Sequence, residues 1–446
     1  MQKVKPALLR GFDQEYLPAE QLQFNHLIDI IRRNFELYGF LPIETPSAER
    51  QEILTSKGAA DKEIYALRRL AEADDDDAAT KGALRFDLTV PLARYVAMRE
   101  RELAFPFRRY QIQRVWRGET PQANKGRFRE FYQADIDIIG REKLSSLAEA
   151  EIPSVIYSVF KEMAIGEFRI RISNRKVLKG LLQHFSVSED KSAAVLRILD
   201  KVDKESEAGV CAQLEAQGVG SARSLYRLMV GKRSSEETLK ALSEYPACEP
   251  GVTELRATVE AIRKFGVPDS AFGVDLSVVR GLDYYTGTIY ETTLTKYPEL
   301  GSICSGGRYD DLASYFTATK LPGVGISIGL TRLFSKLSEA GLLPPLARTP
   351  AEVLVTTMDH QYLDKYLRMA AALRAAGINT EVYLESAKLD KQLQYASRKE
   401  FRVALIAGES EFADNVVQIK DLSARQSHTV PIDNMLTPIK ELLTKR

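Results

Sequence analysis

The chain has 446 residues, 44% of them hydrophobic and 28% charged, with a formal net charge of +1. That length calls for two or three domains, the hydrophobic share excludes a disordered chain, and the near-zero charge gives no bulk attraction for nucleic acid. The three cysteines (Cys211, Cys248, Cys304) and four histidines (His26, His184, His360, His428) lie scattered, without CxxC or HExxH, so neither a disulfide framework nor a protein-bound transition metal is expected.

No apolar run is long enough to span a bilayer. The opening residues, MQKVKPALLRGFDQEYLP, lack the apolar core and cleavage site of a secretory signal. The expectation is a cytoplasmic protein with no membrane partner.

In chain order, residues 19–38 predict an amphipathic helix, since Leu22, Phe24, Leu27, Ile28, Ile31, Phe35 and Tyr38 fall near helical spacing between Pro18 and Gly39. Residues 40–46 are expected to be extended, because Pro42 and Pro46 disfavour helix before them. Asp74–Asp77 are four successive acids that read as a solvated loop. Residues 109–117 and 127–139 predict two strands joined by a polar loop, 118–126. A charge-rich helical stretch, 175–265, reads as an insertion. Strand patterns return at 274–295 and 301–306, and a helix follows at 331–340.

Residues 341–350, with three prolines and a glycine, read as a linker. Beyond it strands at 353–358, 380–384, 402–407 and 416–422 alternate with helices at 361–376 and 387–398, and a helix closes the chain. That alternation predicts a small α/β domain with a largely parallel sheet. The expected division is therefore 1–174 with 266–341, an insertion 175–265, a linker 342–350 and a terminal domain 351–446.

Between Arg108 and Glu130 stand seven basic residues (Arg108, Arg109, Arg114, Arg117, Lys125, Arg127, Arg129) against Glu119 and Glu130. The period of two along the second strand puts Arg129, Phe131, Gln133, Asp135 and Asp137 on one face. Phe128, Tyr132, Ala134, Ile136 and Ile138 fall on the other, a core face apart from Glu130. The polar face carries a cation, a ring, an amide and carboxylates. Such a row can stack a base, hold an amino group and read a polar side chain. Arg117 has the planar fork that clamps phosphate, and Phe131 offers a stacking surface.

Several segments then carry a resemblance. Val115–Glu119 with Gly126–Gln133 resembles motif 2 of class II aminoacyl-tRNA synthetases. Arg280-Gly-Leu-Asp-Tyr-Tyr-Thr-Gly287 resembles the signature of the histidyl-tRNA synthetase family, and Cys304-Ser-Gly-Gly-Arg-Tyr-Asp310 its second specific motif. Tyr38–Pro46 is similar to motif 1, Leu84–Pro91 to the loop that holds the substrate amino group, and Gly323–Arg332 to motif 3. The resemblance runs from Arg10-Gly11 into the terminal domain, where Gly408-Glu-Ser-Glu411 also fits. Cys304 reads as a small packed residue, with no histidine beside it in sequence.

The resemblance implies an α+β catalytic domain on a mixed, mainly antiparallel sheet, interrupted by the helical insertion, with a C-terminal α/β anticodon-binding domain. It implies activation of L-histidine by ATP and transfer to histidine tRNA. Arg117 and Arg280 would be catalytic. Asp87, Leu88, Thr89, Gln133, Asp137, Tyr284 and Tyr285, with those two arginines, would bind histidine. Arg117, Glu119, Phe131 and Arg332 would bind ATP, and Gln122 and Lys125 would meet the tRNA acceptor stem. Mg2+ would arrive with ATP, and the motif 1 proline, Pro46, would lie at a homodimer interface. A pocket that hydrogen-bonds both imidazole nitrogens needs no editing domain.

Departures from the common bacterial pattern stand out. Asp87 and Asp137 occupy positions where many bacterial members carry glutamate. The Glu119–Gly126 loop is longer than in common bacterial forms and similar in length to eukaryotic ones. The alternative is the synthetase-like regulatory subunit of ATP phosphoribosyltransferase, which binds histidine without turnover; the intact Arg280–Gly287 signature and the terminal domain distinguish this chain from it.

Overall fold

A computed structural model describes residues 4–56, 63–68, 82–122, 126–202, 205–231, 233–279, 285–311, 313–345 and 348–444. Two compact units emerge, one formed by Met1–Gln14 and Leu27–Leu343, the other by Glu15–His26 and Pro344–Arg446.

The strands of the first unit are β1 (Leu41–Pro42), β2 (Ala48–Arg50), β3 (Gly82–Leu84), β4 (Phe107–Trp116), β5 (Glu130–Ile139), β6 (Phe168–Asn174), β7 (Phe272–Val274), β8 (Thr288–Leu294), β9 (Ser302–Tyr309) and β10 (Gly323–Ile328). β2 and β3 form a small ribbon. The others make an eight-stranded sheet in the order β1-β4-β5-β10-β9-β8-β6-β7. Its inner pairs are antiparallel, and only the outermost pairs, β1–β4 and β6–β7, are parallel. The sheet is therefore mixed and mainly antiparallel.

Register explains how this sheet carries a site. Tyr110, Ile136 and Ile326 lie side by side across three strands, and Ala134 pairs with Ile328 and Ile138 with Val324 across two. All are buried, at about 2 kcal/mol for each full-sized aliphatic side chain. Tyr290 on this face donates its hydroxyl to the Glu149 carbonyl, within the helix Leu147–Met163. The opposite face of the same strands holds the aligned sets Arg109–Asp137–Gly325–Gly307 and Gln111–Asp135–Ser327–Ser305.

Between β6 and β7 the chain forms helices Arg175–His184, Glu189–Leu199, Glu207–Ala216, Ala222–Val230, Ser235–Leu242 and Glu249–Lys264. Ser234 and Glu237 make a reciprocal capping box that starts the fifth of these. The second unit has a five-stranded sheet of β11 (Val353–Val355), β12 (Thr380–Val382), β13 (Val403–Ile406), β14 (Val416–Asp421) and β15 (Gln426–Pro431), ordered β12-β11-β13-β14-β15. Val353, Val355, Leu405 and Ile419 pack with Tyr366, Met369 and Leu373 of the helix Leu363–Ala375. Leu354 packs instead with Ala396, from the helix Leu389–Lys399, and with Phe401. Among the described residues no helix is long and apolar enough to cross a membrane.

The structure corrects two expectations. The terminal sheet is not largely parallel: β11 pairs in parallel with β12 and β13, but β13–β14 and β14–β15 are antiparallel. β15 is mostly exposed and polar, so it shows no apolar alternation. The 274–295 stretch is not one strand, because β7 ends at Val274 and β8 begins at Thr288. Every residue of β5 from Gln133 to Ile139 is buried. Asp74–Asp77 lie outside the described residues.

Candidate active site

Arg117 follows directly after β4. Its Nε donates to the Phe86 carbonyl at 3.0 Å, and its guanidinium carbon lies 5.2 Å from the Phe131 ring centre. The arginine is thus anchored to the segment that also bears Asp87, beside the ring proposed to stack a base. Glu119 stands 3.9 Å from Arg117 Nη1. At the neck of the hairpin loop Gln122 and Arg127 exchange both backbone hydrogen bonds, at 3.0 and 3.1 Å. Gly126 adopts φ +63°, and a Cβ there would lie 2.9 Å from Arg332 Cγ. Glycine is therefore what lets the loop close onto the arginine of the last motif.

These parts surround a cavity of about 360 Å³ lined by Arg117, Glu119, Phe131, Gln133, Ser327 and Arg332, among others. Strand β9 contributes Cys304 and Ser305 to the wall. Burial pushes the Cys304 thiol pKa far up, with Asp135 adding to the shift, so it stays protonated and is no nucleophile.

Gln133 donates its amide to Ser327 Oγ at 2.6 Å. Its carbonyl oxygen is buried with no hydrogen-bond partner, an acceptor ready for an N–H donor. Further along the strand face, Asp137 is held on two sides. Arg109 Nη2 lies 2.5 Å from one carboxylate oxygen, and Tyr309 donates its hydroxyl to the other at 2.6 Å. Burial raises the Asp137 pKa, and Arg109 pulls the other way. Asp135, between these residues, is pushed up to about 7, first by burial, with Arg109 and Ser327 opposing. Tyr285 is driven well above the usual phenol range by burial, then by Asp137 and Asp135.

Asp87 Oδ1 accepts from the backbone N–H of Val90 at 3.1 Å, at the start of the helix Thr89–Arg99. Leu88 is fully buried. Arg85, also fully buried, ties this segment to the rest. It donates to Thr45 O at 2.6 Å, Arg114 O at 3.0 Å and Gln113 Oε1 at 3.0 Å. Arg280, Tyr284 and Lys125 lie outside the described residues. Among the described residues no three His, Cys, Asp or Glu side chains form a metal-binding group.

A family profile described as Histidyl-tRNA synthetase matches residues 13–333. The chain belongs to the histidyl-tRNA synthetase family. A second profile, Anticodon binding domain, matches residues 352–442. Among curated histidyl-tRNA synthetase relatives, the histidine–tRNA ligase of Xanthomonas axonopodis pv. citri is 47% identical, covering 98% of this chain and 96% of that one. That of Stenotrophomonas maltophilia is 46% identical, covering 96% of each. The crystal structure of histidyl-tRNA synthetase from Nostoc sp. PCC 7120 superposes with a TM-score of 0.90 at 40% identity over the full length of both chains. An ATP phosphoribosyltransferase regulatory subunit/histidyl-tRNA synthetase from Bacillus halodurans shares the fold, with a TM-score of 0.73 at 21% identity, covering 89% of this chain and 97% of that one.

Within this histidyl-tRNA synthetase fold the structure brings Arg117, Glu119, Phe131, Gln133 and Arg332 around one cavity. Three contributors escaped the sequence assignment. Asp135 stands on the polar strand face by its spacing, which alone gives it no role. Ser327 and Arg109 gain theirs only through strand register, facing Asp135 and Asp137 respectively.

Proposed function

We propose that this chain activates L-histidine with ATP to histidyl-adenylate and then transfers histidine to the 3′ end of histidine tRNA, with the site residues in the following roles. ATP binds in the cavity with its adenine between Phe131 and Arg332. Arg117 and Arg280 neutralise charge at the α-phosphate as the histidine carboxylate attacks in line. Catalysis then rests on positioning and fixed charge rather than on a protein nucleophile. Mg2+ comes with the β- and γ-phosphates; among the described residues of the cavity wall, Glu119 is the carboxylate that suits a hard cation.

The single observation that carries the amino-acid assignment is the polar face of β5. Gln133 offers a buried carbonyl without a partner, and Asp137 offers a fixed carboxylate on the same face. Four residues of strand span about 13 Å, about the length of histidine with a hydrogen bond at each end. Gln133, with Asp87 and Thr89, takes the ammonium group, and the Leu88 backbone lines the same segment. Asp137 and Tyr285 take the imidazole nitrogens, with Tyr284 closing the pocket.

Residues 351–446 read the anticodon, 342–350 link the domains and 175–265 form the insertion. The Gln122–Lys125 part of the hairpin loop meets the acceptor stem. The enzyme works as a homodimer in the cytoplasm, with Pro46 at the two-fold interface. The regulatory-subunit alternative has support only at the level of fold, whereas the ligases are 46–47% identical over nearly the whole chain.

Charging of histidine tRNA tests this function. The full chain should load histidine onto its tRNA, and a variant ending at Leu343 should keep histidine-dependent pyrophosphate exchange while losing most charging. Equal charging by the truncated chain would refute the anticodon role, and no charging by the full chain would refute the function.

A further inference from the structure

Beneath the proposed imidazole end of the pocket lies a charge that the substrate does not touch in any of the roles above. Arg109 projects from the middle of β4 and is completely buried. Its Nη2 makes an ion pair with Asp137 at 2.5 Å, and none of its three guanidinium nitrogens has an aligned hydrogen-bond partner. A buried ion pair rarely repays its desolvation, and apolar side chains of similar size would serve a core as well or better. The stability of the sheet therefore does not explain why this position is an arginine. What lies beside it does.

Asp137 is held from two strands and given room by a third. Arg109 of β4 takes one oxygen and Tyr309 of β9 takes the other. Gly325 of β10 leaves the room: a Cβ there would lie 2.1 Å from Asp137 Oδ1. Each carboxylate oxygen keeps a second lone-pair direction for a further donor. Burial raises the Asp137 pKa and Arg109 opposes that rise; without the guanidinium the carboxylate also loses the contact that fixes one of its oxygens.

We infer that Arg109 is a positioning residue for histidine selection, acting through Asp137: it holds that carboxylate in the rotation that serves the imidazole, with Tyr309 fixing the second oxygen. This rests on the assignment of Asp137 to the imidazole. It also gives a reason for the short aspartate at this position. A side chain clamped from below need only be long enough to bridge Arg109 and the ligand.

The test is a double-mutant cycle read in pyrophosphate exchange, with the KM for histidine and for ATP measured separately. Arg109→Met should raise the histidine KM about 10–100-fold, the worth of a charge-assisted hydrogen bond, and leave the ATP KM nearly unchanged. Asp137→Asn should do the same. The double variant Arg109→Met/Asp137→Asn should be no worse than Asp137→Asn alone, because Arg109 then has nothing to position. If Arg109→Met does not fold, Arg109→Lys carries the test: a point charge without the planar fork should give a smaller rise, again confined to histidine. If Asp137→Asn leaves the histidine KM unchanged, the assignment of Asp137 falls and the inference with it. If Asp137→Asn acts as expected but the Arg109 variants shift both KM values alike, or add their full loss to that of Asp137→Asn, the assignment stands and the inference is overturned.

Discussion

Gln133 and Ser327 lie diagonally across neighbouring strands, and the 2.6 Å hydrogen bond from the Gln133 amide to the serine hydroxyl fixes the rotation of the amide. The buried carbonyl is thereby aimed away from the serine and stays unpaired within the protein. In the proposed pose the histidine ammonium would supply the donor it lacks. Gln133→Leu should raise the histidine KM about 10–100-fold, since a hydrogen bond to a charged group is lost. Ser327→Ala frees the amide to rotate without deleting it, so its effect should be smaller and of the same kind. Steady-state pyrophosphate exchange measures both. A larger effect of Ser327→Ala than of Gln133→Leu would contradict this arrangement.

Arg85 is a second buried cation, but its partners are structural. It donates to the Thr45 carbonyl and hydroxyl, to the Pro46 and Arg114 carbonyls and to Gln113. Arg85→Met leaves several buried acceptors unpaired. The expected cost is about 3 kcal/mol or more, seen as a fall of several degrees in the unfolding transition of the first unit. The unit containing Pro344–Arg446 should melt as before. An unchanged first transition in calorimetry would show that water or rearrangement replaces Arg85.

Asp135 ties stability to pH. Its folded pKa, about 7, lies above the ordinary carboxylate value of 3.8 because burial disfavours the charge. Between those values the folded state holds the proton more tightly than the unfolded state. The contribution is therefore fully present below about pH 4 and is lost as pH rises through about 7. Asp135→Asn mimics the protonated form and cannot ionise. It should be more stable than the parent at pH 8, by an amount on the order of a few kcal/mol at most, and the gain should shrink towards pH 4. Urea unfolding at both pH values decides it. A difference independent of pH would mean that Asp135 does not titrate in this range.

Arg117 should matter for rate rather than for binding alone. Loss of one preorganised donor typically costs on the order of 10²–10³ in rate. Arg117→Ala should impose that loss on single-turnover adenylate formation, and Arg117→Lys should recover only part. Transfer from supplied histidyl-adenylate should suffer less. Equal losses in both steps, in a folded variant, would assign Arg117 a structural role through its bond to Phe86 O.

The parts of the site that lie close together in sequence were legible there. Period-two alternation placed Phe131, Gln133 and Asp137 on one face, and the hairpin and its flanking arginines stand within one short segment. What stayed hidden depends on register between distant strands. The Tyr309–Asp137 bond joins residues 172 apart in sequence, and nothing local to either residue announces it. The Arg109–Asp137 pair requires knowing which residues of β4 and β5 stand opposite. The fold was obscured for a related reason. The helix Leu147–Met163 is buried on most sides and holds Pro153, so it lacks the one-sided stripe by which a helix is recognised. β15 has the opposite problem: exposure on most positions left no apolar pattern to read.

Histidine-dependent exchange of labelled pyrophosphate into ATP, run with each of the twenty amino acids in turn, tests the central claim most directly. A chain that builds histidyl-adenylate in the cavity above β5 should give exchange with histidine and only background with the others, and Asp137→Asn should erode that preference. Histidine binding without any exchange, by the intact folded chain with ATP and Mg2+, would contradict the proposed function and return the chain to the regulatory alternative.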